Sequence, residues 1–287
     1  MTGLDRQIAA WCEGTLGPHA VLTTASSLDH RGRVVRVRDT NGDEYIVKIH
    51  GSRQKHQREI RAYRQWLGVL HGRVPRLVAV EPTLRVIIVS AVPGTPVPST
   101  HRSPTREAGL HRQAGELLDR LHHAIPARQR PELTNHLIKR ASWWLGQAAD
   151  LLPVPDHRFI QHHLTALTDL GPLDAVVCHL DYQPRNWLVD EIGILRVIDF
   201  EHTRIDLRPR DLVRLNFRSW IDRPDLRDAF LVGYGRRLTD TETLAVSHCA
   251  AIDVLTALVR GNTTDNPSLT EYGRATLSRL REDAASP

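Results

Sequence analysis

Between Val92 and Pro98 the chain reads Val-Pro-Gly-Thr-Pro-Val-Pro. Proline lacks a backbone N–H and fixes φ, so neither a helix interior nor a central strand can pass through such a segment. The chain must therefore build one arrangement before it and another after it, which makes it an interlobe connector. The two sides differ in hydrophobic period. Before the connector, residues 21–25, 34–38 and 45–49 read as strands, with Asn41-Gly42 as a hairpin turn between the last two. Residues 77–80 and 86–89 add two more strands, and helices are expected over 4–16 and 54–70.

After the connector the helical period dominates. Ser103-Pro104 starts a helix with Leu110, Ala114, Leu117, Leu118 and Leu121 on one stripe, and further helices are expected over 136–151, 159–170 and from Pro209 onward. Only 175–178, 187–189 and 195–198 interrupt them with short β-like pieces. The pattern implies an α+β fold in two lobes. Residues 1–93 form an N-lobe of small antiparallel sheet plus helix, and 94–287 form a mainly helical C-lobe.

Charge and cysteine content narrow the function. The net charge of +5 comes from the first third, where residues 1–95 carry 14 Lys+Arg against 8 Asp+Glu. The basic residues are dispersed and aromatics are sparse, which speaks against a nucleic-acid partner. The apolar run over 86–92 is too short for a bilayer, the N-terminus lacks the apolar region of a signal peptide, and three widely spaced cysteines fit a reducing compartment. A cytoplasmic protein without membrane contact is the expectation. Oligomeric state is not readable. Lysine occurs only at Lys48, Lys55 and Lys139, so the placement of each carries information.

The chemistry is concentrated in His179-Leu180-Asp181-Tyr182-Gln183-Pro184-Arg185-Asn186 and in Val197-Ile198-Asp199-Phe200-Glu201. Phosphoryl transfer needs a positioned acceptor hydroxyl and cations on the phosphate oxygens. Asp181 can orient a hydroxyl and take its proton, while the Asn186 amide and the Asp199 carboxylate are oxygen ligands of the kind Mg²⁺ prefers. A loop between two short strands, followed by a strand ending in Asp199, can converge the three. No G-x-S-x-G and no G-x-x-x-x-G-K-[ST] occurs, so hydrolase and P-loop readings have no support. The adjacent histidines His122-His123 and His162-His163 lie on expected helices and point apart, which disfavours chelation.

The H-x-D-x-x-x-x-N loop with Asp-Phe-Glu thirteen residues after the asparagine resembles the aminoglycoside phosphotransferase and choline kinase family, small-molecule relatives of the protein kinases. Residues 117–122 resemble that family's central helix, Val92-Pro93-Gly94 its hinge exit, and Asp206 with Asp211-Leu212 the aspartates after its metal strand. The resemblance implies a protein-kinase-like fold and an O-phosphotransferase using ATP or GTP with Mg²⁺. It assigns Lys48 to the α- and β-phosphates with Glu59 as its partner, and Ser90 and Val92 to the nucleotide site. Ser26 and Ser27 stand where the family has its phosphate-covering loop, but without G-x-G-x-x-G they read as phosphate contacts or as an ordinary hairpin loop. Leu180 and Arg185 stand where relatives often have glycine, and Glu201 replaces the glycine of the protein-kinase Asp-Phe-Gly. Arg185 reads as a phosphate contact or a solvent-facing side chain, Glu201 as a group behind the metal or a surface acid. Trp143 and Trp144 read as core or as a substrate border.

For the acceptor, the family implies an antibiotic, an amino alcohol or a sugar, and the hinge and catalytic segments favour an antibiotic. A catalytically silent nucleotide-binding scaffold is the alternative from another class. Residues 174–287 carry 18 acidic against 15 basic residues, and Arg208, Arg210, Arg214 and Arg218 follow the metal strand. A neutral or modestly charged hydroxylated acceptor fits that balance better than a polycation, which would require carboxylates such as Asp222, Asp225, Asp253 or Glu271 to converge.

Overall fold

The computed structural model describes residues 3–26, 32–99 and 102–285. It contains an antiparallel sheet followed by a mainly helical portion, so the α+β expectation holds. Contacts divide the chain into two compact units, Met1–His101 with Arg185–Arg204, and Arg102–Pro184 with Ile205–Pro287. The sequence reading placed one cut at Pro93. The first unit instead continues beyond it and takes back a stretch from the second half, because strand pairing rather than chain order decides which segments share contacts.

In the first unit, α1 (Gly3–Leu16) precedes β1 (His19–Ser26), β2 (Arg33–Asp39) and β3 (Glu44–Ile49). The turn at Asn41-Gly42 closes on the Asp39 carboxylate, whose Oδ1 accepts the N–H groups of Asn41 and Asp43 at 2.9 Å. After α2 (Arg53–Gln65) come β4 (Leu77–Glu81) and β5 (Val86–Ser90), and the sheet order is β1-β2-β3-β5-β4, antiparallel throughout. The second helix is shorter than its periodicity suggests. Trp66 leaves helical geometry at φ −124°, and residues Leu67–Leu70 make a separate 3₁₀ turn around Gly68. Alternation does the packing. Val37 on β2, Val47 on β3, and Val86 and Ile88 on β5 meet Ile8 and Cys12 of α1 on one face of the sheet.

Beyond β6 (Thr95–Pro96), α3 (Pro104–His122) starts the second unit with Ser103 Oγ accepting from the Arg106 N–H. It is followed by β7 (Arg128–Gln129), α4 (Pro131–Gln147), α5 (Val154–Asp169) and β8 (Asp174–Cys178). Both α4 and α5 begin about five residues ahead of their apolar stripes, because Pro131 and Pro155 sit in first turns where a missing N–H costs nothing. The hairpin of β9 (Trp187–Val189) and β10 (Leu195–Val197) belongs to the first unit, where β9 pairs with β6. Gly94 permits that pairing. A Cβ there would stand 2.7 Å from Val189 backbone atoms, and its φ is +121°.

The chain ends with β11 (Arg204–Leu207), which extends the order β11-β8-β7, and with α6 (Pro224–Tyr234), α7 (Asp240–Thr263) and α8 (Pro267–Ala285). By length and composition α7 could cross a bilayer, yet most of its apolar stretch is buried inside the second unit. Helices α3 and α6 touch through glycines. A Cβ at Gly115 would lie 2.1 Å from the Phe230 carbonyl oxygen, and one at Gly233 would lie 1.9 Å from that of Arg112.

Two buried histidines of this unit are held neutral. Burial pushes His111, which accepts a hydrogen bond from Trp220 Nε1 at 3.2 Å, down to about 4. Burial, with His248 alongside at 2.9 Å, does the same to His163, also to about 4.

Two outcomes follow. Gly115→Ala forces two helix backbones apart and should destabilise the protein by about 3 kcal/mol, read from a denaturant midpoint. An unchanged midpoint would mean that the helices separate freely. An unfolded chain protonates histidine near 6.5, so between about pH 6.5 and 4 it binds protons that the folded state refuses. Stability should therefore fall as pH drops through that window, by about 3 kcal/mol for each histidine, and His111→Gln should flatten the slope.

Candidate active site

In the first unit Lys48, fourth of the five β3 residues that pair with β5, projects its ammonium between two carboxylates, 2.7 Å from Glu59 Oε1 on α2 and 2.7 Å from Asp199 Oδ1. Glu59 is fully buried and Lys48 nearly so, while Asp199 is one-third exposed. Burial alone would push the ammonium down. Asp199 and Glu59 outweigh it and hold Lys48 well above its ordinary value, so it stays charged at any working pH. The second Glu59 oxygen accepts from His50 Nε2 at 2.6 Å, and His50 Nδ1 lies 3.3 Å from the Arg85 carbonyl. His50 is a neighbour of the candidate site that the sequence reading did not name. Its position two residues after Lys48 and one beyond the end of β3, where alternation carried past the strand end puts it on the same face, was the available signal.

Asp199 and Asn186 are brought side by side by the backbone. Ile198 N–H donates to the Asn186 carbonyl at 3.0 Å, Val197 N–H donates to the Arg73 carbonyl at 2.9 Å, and Arg73 Nε holds the Leu195 carbonyl at 2.6 Å. Asp199 adopts φ +69°, a left-handed conformation that costs a non-glycine residue on the order of 1–3 kcal/mol. Arg185 is exposed to solvent, and its pKa is lowered by partial desolvation with the Asp199 charge pulling the other way. Glu201 is engaged elsewhere. Burial raises it, but hydrogen bonds from His202 and Lys55 outweigh this and bring it to about 2, with Lys55 Nζ at 2.9 Å.

Of the other candidates in this unit, the Ser90 hydroxyl accepts the Arg76 N–H at 2.9 Å, and Ser90 and Val92 both line a cavity of about 390 Å³ with Arg36, Glu44, Tyr45 and Arg76. Ser26 ends β1 opposite Arg33. Ser27 lies outside the described residues.

Asp181 belongs to the second unit. It is buried, its N–H donates to His179 Nδ1 at 3.2 Å, and its Oδ1 accepts from both Gln183 Nε2 and Arg214 Nη1. Arg214 also reaches Asp253 Oδ2 through Nε at 3.3 Å. The loop that carries Asp181 hangs on the Asp211 carboxylate, which takes the N–H groups of His179 at 2.8 Å and Leu180 at 2.5 Å, and His122 Nε2 at 3.1 Å. Behind it Tyr234 O–H donates to His122 Nδ1 at 2.6 Å and accepts from Arg208. Burial lowers His122 although Asp211 opposes it, which suits a neutral ring donating from Nε2. Leu180, at φ +63°, sits in the left-handed region, which accounts for a position where glycine is the easier residue.

The four arginines expected after the metal strand do different jobs. Arg208 is buried against Tyr234, Arg210 pairs with Asp206 at 2.5 Å, Arg218 lies over the Tyr272 ring, and Arg214 alone of the four bonds Asp181 among the described residues. Of the carboxylates named as possible cation partners, Asp253 reaches Arg214, Asp225 pairs with Arg223, and Asp222 is exposed. Trp143 is not core, and its ring meets that of Trp144 edge-on with centroids 4.7 Å apart. It stands 57% exposed on α4, while Trp144 lies under Arg260.

The phosphotransferase enzyme family model matches residues 24–246. No curated protein sequence matches the chain. Among solved structures, the chain is similar to APH(2")-IIia in its GDP and kanamycin complex, at 16% identity and a TM-score of 0.72, over 96% of this chain and 99% of that one. It is similar to a choline/ethanolamine kinase family protein from Mesorhizobium loti, at 20% identity and 0.69, over 99% and 96%. It is also similar to macrolide 2'-phosphotransferase type I, at 17% identity and 0.62, over 98% of both chains. At these identities the likeness is one of fold.

The Asp211 network makes a clear prediction. Asp211→Asn replaces an acceptor of three hydrogen bonds by a group that turns N–H toward N–H, and should cost about 3 kcal/mol in a denaturation experiment. A midpoint equal to that of the unchanged protein would show that the loop is held by other contacts.

Proposed function

The chain belongs to the phosphotransferase enzyme family, and from that premise we propose that it moves the γ-phosphoryl group of ATP or GTP onto a hydroxyl of a small molecule. The observation that carries this reading is the Lys48 ammonium, held 2.7 Å from both Glu59 and Asp199. An always-charged amine on a rigid strand is a point charge for phosphate oxygens, and Glu59, fixed in turn by His50, keeps it from wandering. The cavity beside Ser90 and Val92 would take the base end of the nucleotide.

The donor set of Asn186 and Asp199, one amide and one carboxylate oxygen tied together through Ile198, fits a hard cation. Mg²⁺ held there would neutralise phosphate charge as the reaction proceeds. Asp181 orients the acceptor and takes its proton while the hydroxyl oxygen bonds to the γ-phosphorus, the bond to the β–γ bridging oxygen breaks, and nucleoside diphosphate leaves. Arg185, exposed and within the field of Asp199, would meet a phosphate oxygen.

For the acceptor we favour a hydroxylated antibiotic of neutral or modest charge, which would make the reaction one of resistance. The solved macrolide phosphotransferase of the same fold supports that class, and the arginine on Asp181 weighs against a polycation. An amino alcohol is the second reading, favoured by the likeness to the choline/ethanolamine kinase family protein. The cytoplasm is the proposed location, where nucleoside triphosphates are available and three buried thiols are stable.

Asp181→Asn should lower turnover by about 10² to 10⁴-fold with nucleotide affinity nearly intact, since the carboxylate acts on the acceptor. Asp199→Ala should instead weaken Mg-nucleotide binding as measured by calorimetry. Undiminished phosphorylation by the first variant, in a mass-spectrometric screen of hydroxylated acceptors, would remove Asp181 from the mechanism. Unchanged affinity in the second would remove Asp199 from the metal site.

A further inference from the structure

We infer that the acceptor carries an anionic group, a carboxylate or a phosphate, beside the hydroxyl that is phosphorylated, and that Arg214 selects it. This rests on the phosphotransferase reading and deepens it, narrowing the acceptor from one of neutral or modest charge to one with an anionic group and setting the amino alcohol aside. Arg214 Nη1 sits on Asp181 Oδ1, the oxygen that Gln183 also bonds, so a guanidinium flanks the carboxylate. A hydroxyl giving its proton to this carboxylate has substituents on that side against the guanidinium. Of the three ionic side chains, Asp181 is 5%, Asp253 19% and Arg214 31% exposed, so the cation is the one that a ligand reaches first.

Arg214 also has donors to spare. Its Nη1 and Nε are engaged by Asp181 and Asp253, while Nη2 makes no hydrogen bond among the described residues. A guanidinium has five N–H donors in a planar fork that matches the paired oxygens of a carboxylate or phosphate. The charges around it are balanced, Asp181 and Asp253 against Arg214 and Arg218, the last lying 5.7 Å over the Tyr272 ring. A cationic acceptor would have to expel Arg214 from two carboxylates and leave that charge without either. An anionic acceptor engages the open side of the guanidinium and draws it from Asp181 Oδ1, which frees the base.

The test uses acceptors that share a scaffold and differ in one group: a hydroxy acid with its amide and its amine, and a nucleoside 5'-phosphate with its nucleoside. Binding is read by calorimetry with Mg-nucleoside diphosphate present, and transfer by mass spectrometry. The expected result is that anionic members bind, and where they react are phosphorylated, at least about tenfold better than their neutral or cationic counterparts. Arg214→Gln should abolish that preference while keeping Mg-nucleotide affinity, and Arg214→Lys, which retains charge but not the fork, should fall between. An arginine that merely braces the loop would lower all members alike and leave the preference intact. Should Arg214→Gln not fold, Arg214→Lys carries the comparison. Wild-type protein that favours the amine or treats the members equally, or a preference that survives in the variant, overturns the inference. Charge-selective binding with no phosphate on any member would instead sink the phosphotransferase reading and leave the selection by Arg214 standing.

Discussion

A lysine ammonium inside a protein is stable only if its charge is answered, and in the first unit Lys48 is answered twice, by Glu59 and by Asp199. That requirement ties together three segments with separate local reasons to exist: a strand of the sheet, the helix after it, and a hairpin contributed from far along the chain. Removing either acid leaves a buried charge partly unpaired, which typically costs about 3–5 kcal/mol. Burying so much charge is not the cheapest way to hold a strand, a helix and a hairpin together. The same ammonium and carboxylate are groups that phosphate oxygens and a divalent cation can take over, so the cost is tied to use.

The second unit solves a related problem with one carboxylate. Asp211 collects two backbone N–H groups and a histidine, and this holds Leu180 in a conformation that side chains avoid. Each bond is ordinary, but in a buried site they reinforce one another because no water competes. The result is that Asp181, two residues beyond His179, has a fixed address. Its own side-chain contacts are Gln183 and Arg214, and on the proposed reading they would decide what kind of ligand can share it. On that reading positioning and selection would fall to different residues, and the acceptor preference could change without disturbing the loop.

Much of the architecture was legible from local rules. The sheet with its inserted helix follows from period-two alternation and the Asn41-Gly42 turn, and α3 follows from Ser103-Pro104 and its leucine stripe. The misses have physical causes. The two-residue strands β6 and β7 and the four-residue β11 are too short to show a period, and exist because a neighbour offers an edge. The helix over 53–65 stops early because Trp66 turns away to pack, which no periodic count registers. The first unit reclaims 185–204 through β9 and β6, a pairing of residues about ninety apart.

For the candidate site, the amino-acid sequence alone determined the list of candidates: Asp181, Asn186 and Asp199 stand out because the chemistry proposed for them depends on spacing within a loop and its following strand. Lys48 stood out by the rarity of lysine. Only the tertiary structure decided who answers whom. The bond from Lys48 to Asp199 spans 151 positions, that from Arg214 to Asp181 spans 33, and His50 meets Glu59 across a strand and a helix. Spacing rules reach about one helical turn or one strand neighbour. Beyond that distance, the partner of a charge is whichever group the packing of the core leaves facing it, and that depends on every side chain in the layer at once.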